Sequence, residues 1–199
     1  SLCINTVADA LKDLDDDVRV YAAEDLGYFY NDYSKHALLE AIRRDPQEHV
    51  RWAAAVALGR YDKPEQIFHD VINVLSDENS TIVKRSTILS IGRMLPRLKS
   101  NLLEFATLAN DVNKLQNLLV YYLKSDVTVL SSYAAYAIGE LITEKNSNIV
   151  GDLIDVLSSS TVFEVRCNVI LSLSKLTKFI LPFPERKNKI EAELWKVLS

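Results

Sequence analysis

The eleven residues from His49 to Gly59, HVRWAAAVALG, crowd four alanines into one short segment and end in glycine. Alanine is the best helix former and has almost no bulk, so a helix of this composition allows a neighbouring helix to come close. We therefore expect residues 49–59 to form a helix that ends at its glycine and packs against another helix.

Related stretches recur along the chain: DVRVYAAEDLG at 17–27, IVKRSTILSIG at 82–92, VLSSYAAYAIG at 129–139 and EVRCNVILSLS at 164–174. Counted from a branched apolar residue, called position 0, a glycine follows at position 9 in four of the five stretches. Small or apolar residues hold positions 4, 5 and 8, which together with position 0 form one helical stripe. We predict that this stripe is buried. Position 0 is Val18, Val50, Val83, Leu130 and Val165.

A second amphipathic segment precedes each stretch, at residues 4–14, 36–43, 67–75, 115–123 and 149–157. Polar breaks rich in Asp, Ser and Asn separate the two segments, and these residue types cap the following helix. The unit is therefore helix, turn, helix, and it recurs every 32 to 47 residues. One such unit cannot bury its own stripe, whereas stacked copies form a continuous core. The pattern predicts an all-α fold, a right-handed α-solenoid of about five two-helix repeats.

We expect a single solenoid over residues 1–199, with repeats at about 4–30, 36–62, 67–95, 114–143 and 149–178. An insertion at about 96–113 separates the third and fourth repeats, and helical spacing at Leu103 and Ala106 predicts an extra helical turn or short helix there. A terminal helix at about 185–198 follows, either as a C-terminal capping helix or as the first helix of a truncated sixth unit.

Composition narrows the classes of function. The chain has a net charge of −4, two cysteines, and few glycines and prolines, with no apolar run of membrane-spanning length and no visible export signal. We therefore expect a cytoplasmic protein without a membrane partner. A basic segment at 84–99 favours phosphate binding, but the acidic net charge argues against nucleic acid, which needs a sustained positive field.

The segment 45–65, DPQEHVRWAAAVALGRYDKPE, resembles the HEAT-like repeats, especially the short form first named for phycobilisome lyases. The resemblance extends more loosely over about 4–181. It implies that the second helix of each repeat lines a concave surface. It also implies a ladder in which a turn aspartate of one unit meets the arginine of the next, with a row of ligand-binding arginines as the alternative. The residues concerned are Asp17, Asp45, Asp77 and Asp126, and Arg19, Arg51, Lys84 and Arg166.

The side of each second helix opposite the buried stripe carries positions 2, 3, 6 and 10. Aromatic residues and arginines dominate there, and these residue types most often anchor interfaces. The alternative is that the aromatic rings pack between neighbouring layers. The predicted partner-binding residues are Tyr21, Glu24, Tyr28, Trp52, Val56, Arg60, Arg85, Leu89, Arg93, Tyr133, Tyr136 and Glu140, with Ser132, Cys167, Leu171 and Lys175 at the same positions.

Two functions remain open on these residues. The first is a non-catalytic scaffold or adaptor that holds a protein or peptide on the concave face. The alternative is a phycobilin lyase-like subunit that binds a linear tetrapyrrole and a phycobiliprotein. No catalytic residues, cofactor or metal ligands are predicted, because His36, His49 and His69 are separated and lack ligand-spaced partners. An enzyme is therefore the less favoured class, and the oligomeric state stays open.

Overall fold

The computed structural model describes residues 2–100, 107–141 and 149–180, and also Asn188, Glu191, Ala192 and Trp195. All regular structure in these ranges is helical, as ten α-helices and two short 3-10 helices. The all-α prediction is confirmed.

The chain divides into two compact units, residues 1–114 and 115–199. The helices of unit 1 are α1 (Leu2–Asp9), α2 (Asp16–Leu26), α3 (Asp32–Arg44), α4 (Glu48–Leu58), α5 (Phe68–Asp77) and α6 (Thr81–Ser100), with 3-10 helices at Ala10–Lys12 and Pro64–Gln66. The point of division lies within α7 (Ala109–Leu123). Unit 2 contains α8 (Thr128–Leu141), α9 (Ile149–Ser159) and α10 (Phe163–Ile180).

The helices of unit 1 pack as stacked hairpins. α1 pairs with α2, α3 with α4 and α5 with α6, while the second helices α2, α4 and α6 lie side by side in that order. In unit 2, α9 pairs with α10, and the second helices α8 and α10 pack against each other. Each unit therefore shows the α-solenoid arrangement that the repeats predict.

Polar residues in the turns fix where the second helices begin. The Asp15 carboxylate accepts the Asp17 N–H at 2.9 Å, and the Asp45 carboxylate accepts the Gln47 N–H at 2.9 Å. Asp17 belongs to α2, so the first bond satisfies a backbone donor that has no partner within the helix. Gln47 precedes α4, whose start has no side-chain cap. The predicted capping by turn residues is therefore seen at the start of α2 but not at the start of α4.

The predicted stripe is buried along most of its length, but its ends differ from the prediction. Val50 and Val83 are fully buried, whereas Val18 is 39% exposed. Ile170 in α10 is also partly exposed. α2 and α10 stand at the ends of the described stacks, so no further described second helix covers these side chains.

Two of the four position-9 glycines stand at a helix end as expected: α2 ends at Leu26 before Gly27, and α4 ends at Leu58 before Gly59. The other two do not, because Gly92 lies inside α6 and Gly139 inside α8. Gly27, Gly59 and Gly139 also share a close contact with the next layer. A Cβ on Gly27 would lie 2.9 Å from the Ala57 Cβ, closer than real Cβ atoms approach.

A serine of the following second helix completes this contact at two places. The Ser90 Oγ donates to the Ala55 carbonyl oxygen at 2.7 Å, and the Ser172 Oγ donates to the Ala135 carbonyl oxygen at 2.6 Å. Both serines are buried at position 7 of their stretch, each beside a position-9 glycine. The second helices therefore pack with the same register in each unit, with position 7 of one helix against position 9 of the preceding one.

The predicted insertion differs at its edges. Pro96 lies inside α6, which continues to Ser100, and residues 109–113 already belong to α7. Leu103 and Ala106 lie outside the described residues. Of the predicted terminal helix, the four described residues are helical, and the rest of 185–198 lies outside the described ranges.

Candidate partner-binding face

An arginine ladder ties the turns of unit 1 together. The Arg19 Nε and Nη2 atoms donate to the Asp45 carboxylate at 2.8 and 3.2 Å, and its Nη1 donates to the Asp13 carbonyl oxygen at 2.8 Å. The Arg51 Nε and Nη2 atoms donate to the Glu78 carboxylate at 2.9 and 3.2 Å. Each arginine therefore bridges its own turn to the turn of the next repeat.

Two details of the ladder correct the sequence prediction. The arginine of one repeat meets the acid of the following repeat, so the direction is opposite to the expected one. The second acid is Glu78 and not Asp77. The hydrogen bond from Arg19 to Asp45 is the main cause that raises the pKa of Arg19. Burial would raise the pKa of Glu78, but hydrogen bonds from Arg51 and from two backbone N–H groups outweigh it and lower this pKa.

A groove of about 470 Å³ lies beside this ladder, between the α3–α4 and α5–α6 turns. Arg43, Arg44 and Arg51 line it, but these cations already pair with Asp70, Glu40 and Glu78. The groove consequently offers a ligand little unpaired positive charge, and the arginine ladder acts as structure in unit 1.

In each unit, the second-helix face is the surface formed by positions 2, 3, 6 and 10 of its second helices. None of the twelve predicted binding residues is buried, whereas Ser132 at the same positions is. Tyr21 and Tyr28 are 68% and 64% exposed, and Arg93 is exposed at the end of the same face. Trp52 is half-buried beside the α4 alanines. The face therefore combines accessible rings and cations in the manner expected of a binding surface, and its binding role stays a prediction.

Tyr28 also contacts the neighbouring layer. The alternative that aromatic rings pack between layers therefore applies to this residue in part. The guanidinium carbon of Arg60 lies 5.0 Å from the centre of the Tyr28 ring, which is a cation–π contact. The Arg60 Nη1 is buried and has no hydrogen-bond acceptor among the described residues. An unsatisfied buried donor of this kind costs about 1–3 kcal/mol. Arg60 is therefore held by a ring and not by a carboxylate.

Arg97 has a structural role that the sequence did not reveal. Its Nη2 donates to the Gly59 carbonyl oxygen at 2.8 Å and its Nη1 to the Tyr61 carbonyl oxygen at 2.6 Å. These carbonyls follow the last turn of α4 and lack helical partners. Arg97 therefore caps α4, and this engagement weakens the case for a phosphate-binding segment at 84–99. Only the stacking of α6 on α4 brings these groups together.

The same face in unit 2 carries charges that neutralise each other. Glu140 and Lys175, both at position 10, form an ion pair between α8 and α10. The Lys175 ammonium also lies 5.6 Å from the centre of the Tyr136 ring. Asn168 donates to the Ser132 Oγ at 2.8 Å. In unit 2, the two position-10 residues of neighbouring second helices therefore carry opposite charges.

We next searched the described residues for metal-binding clusters and membrane-spanning helices, beginning with the contacts of His69. The His69 Nδ1 lies 2.8 Å from an Asp111 carboxylate oxygen, and its Nε2 lies 2.9 Å from the Asn73 amide nitrogen. The sequence alone could not pair His69 with Asp111, because they lie 42 residues apart. The residues described hold no cluster of three metal-binding side chains. None of the described helices combines the length and apolar character required to cross a bilayer.

Comparisons with known proteins agree with this architecture. The family described as HEAT repeats matches residues 4–92. No curated protein matches the sequence. Among solved structures, the complex of CpcE and CpcF of phycocyanin lyase from Nostoc sp. PCC7120 superposes with a TM-score of 0.66 at 16% identity, over 86% of this chain and 98% of that chain. The resemblance to HEAT-like repeats is therefore confirmed.

Proposed function

We propose that this HEAT-repeat chain is a non-catalytic scaffold or adaptor that binds a protein or peptide on its second-helix face. One observation carries the proposal: twelve predicted contact residues, rich in aromatic rings and arginines, all stay unburied in the folded chain. A cytoplasmic location is part of the proposal, and the low cysteine content supports it.

The arrangement of α2 and α4 suits a binding role physically. Large rings offer contact area at low cost in side-chain entropy, and Tyr21 and Tyr28 are both exposed, with Arg60 over the Tyr28 ring. The backbone at Gly27 packs closely against Ala57 of the next second helix, which favours a rigid surface. A rigid surface loses little conformational freedom when a partner docks.

The lyase structure supports a protein partner in a limited way. It is a complex of CpcE and CpcF, so a chain of this fold exists there in contact with a second protein. For the present chain, we expect a partner that is a separate polypeptide docking on the second-helix face.

Site-specific crosslinking in an extract of the native source tests the proposal. A photoreactive phenylalanine derivative replaces Tyr21 in one variant and Tyr33 in a matched control, since Tyr33 is 47% exposed but lies on the first-helix layer, in α3. We expect a defined adduct from position 21 and none from position 33. Equal labelling of both positions would contradict the proposed face. Tyr21→Ala should weaken capture without a change in the unfolding midpoint.

The alternative function is a phycobilin lyase-like subunit that holds a linear tetrapyrrole against a phycobiliprotein. It is favoured by the structural likeness, which extends over 98% of the phycocyanin lyase chain. Phycocyanobilin added to the protein should then show a shifted visible absorption band, and Trp52→Ala should abolish the shift. Trp195→Ala is the control, because Trp195 is 74% exposed and lies outside the second-helix face. An unshifted band leaves the scaffold as the function.

A further inference from the structure

Three arginines of unit 1 differ from the rest in their partners. Arg19, Arg43, Arg44 and Arg51 all pair with carboxylates, and Arg97 caps α4. Among the described residues, Arg60, Arg85 and Arg93 have no carboxylate partner. All three lie on the second-helix face, at position 10 just after α4 and at positions 2 and 10 of α6. The second-helix face of unit 1 therefore carries three arginines that pair with no carboxylate among the described residues.

Unit 2 gives one example of how this register can be filled. The hydrogen bonds of Ser90 and Ser172 show that α6 stacks on α4 as α10 stacks on α8. In unit 2, the two position-10 residues are Glu140 and Lys175, which form an ion pair. In unit 1, the equivalent residues are Arg60 and Arg93, two like charges with no acid at either position.

We propose that Arg60 and Arg93 form a receptor for a carboxylate side chain of the protein partner, so that the partner presents an acidic segment here. The incoming carboxylate takes the place that Glu140 holds opposite Lys175. Arg60 is suited to this contact, because its guanidinium rests on Tyr28 and forms no ion pair with a described carboxylate. The guanidinium fork matches a carboxylate with two parallel hydrogen bonds. This inference rests on the proposed function and specifies its partner chemistry.

An acidic peptide fits these charges better than a nucleic acid. Phosphate backbones need a row of several cations and a sustained positive field. Here the chain has a net charge of −4, and the ladder arginines are occupied by carboxylates. A short acidic segment needs only the pair of arginines, and Tyr28 provides apolar contact beside Arg60.

A display library of random peptides, selected on the intact chain, tests the receptor. We expect enrichment of peptides that contain Asp or Glu, and about tenfold weaker binding of the best synthetic peptide to Arg93→Gln. Arg44→Gln is the control, because it removes the same charge from the first-helix layer, where the Arg44 side chain is 79% exposed. This variant should change binding less than twofold, which corresponds to less than about 0.5 kcal/mol. An oligothymidylate that competes with the peptide and binds more tightly would overturn the inference in favour of nucleic acid.

A second variant supplies the missing acid within the chain. Arg93→Glu recreates the Glu140–Lys175 arrangement by placing a carboxylate opposite Arg60. We expect this variant to unfold at a higher temperature than wild type and to lose binding of the acidic peptide. Unchanged peptide binding by Arg93→Glu would overturn the receptor. Selected peptides without acidic residues that still crosslink at Tyr21 would refute the inference and leave the proposed function standing.

Discussion

Gly59→Ala tests the close contact between second helices. The added Cβ would lie 2.6 Å from the Ser90 Oγ, 2.8 Å from its Cβ and 3.1 Å from its Cα, so α6 must shift or Ser90 must turn away. Overpacking of this kind costs about 1–3 kcal/mol. Loss of the Ser90 hydrogen bond to Ala55 adds about 1 kcal/mol, and the better helix propensity of alanine returns at most about 1 kcal/mol.

We therefore expect Gly59→Ala to reduce the free energy of unfolding by about 1–3 kcal/mol. Urea and thermal unfolding, followed by far-UV circular dichroism, measure this loss. The thermal midpoint should fall by about 2–4 °C for each kcal/mol lost. Gly151→Ala is the matched control, because a Cβ there meets nothing within 4 Å and Gly151 lies within α9. This control should gain about 0.5–1 kcal/mol.

A double-mutant cycle identifies the cause. Ser90→Gly removes the two atoms nearest the new methyl group, so Gly59→Ala should cost less in that background than in wild type. A Gly59→Ala variant as stable as Gly151→Ala, or strictly additive effects in the cycle, would refute the contact argument.

Further predictions concern the bonds between layers. The lowered pKa of Glu78 contributes stability that is present above its ordinary pKa of 4.5 and is lost as pH falls through the folded-state value. Glu78→Gln should therefore be about 1–3 kcal/mol less stable than wild type at pH 7, because Arg51 loses its carboxylate partner. In acid, the free energies of unfolding of the two proteins, measured with urea, should converge. Arg97→Met should lower the free energy of unfolding by about 1–3 kcal/mol, because the carbonyl groups at the end of α4 lose their donor. Arg93→Met is the control and should change it by less than about 0.5 kcal/mol. Equal losses in the two variants would contradict the capping role of Arg97. Ser172→Ala should cost about 1 kcal/mol by calorimetry, because the Ala135 carbonyl loses its buried donor, and a neutral result would show that this bond adds nothing.

The helical class and the hairpin unit were predictable because they follow from local patterns. The position-0 stripe and the polar breaks locate the helices to within a few residues, since apolar periodicity and capping act over one or two turns. The prediction for Gly59 was right but incomplete for the same reason. A local pattern places this glycine at the end of α4, where it lies, but does not reveal its contact with Ser90, which lies 31 residues further along the chain.

The binding face was partly accessible to sequence reasoning. Periodicity placed Tyr21 and Tyr28 away from the core, and the structure leaves both exposed. Pairing between layers was not accessible, because it depends on which side chains the stacking brings together. Arg97 on the end of α4 and Glu78 beneath Arg51 both required the register of neighbouring repeats.

The serine and glycine contact gives the array a polarity. Within each unit, a hairpin offers space at position 9 to its successor, which fills it with its position-7 residue, as Gly59 and Ser90 do. Transplanted hairpins would therefore need matched neighbours on both sides. A bulky residue at position 9 would disrupt the junction with the successor, and one at position 7 the junction with the predecessor. Longer arrays recombined from these repeats should fold only where each position-9 glycine is followed by a repeat with a small residue at position 7.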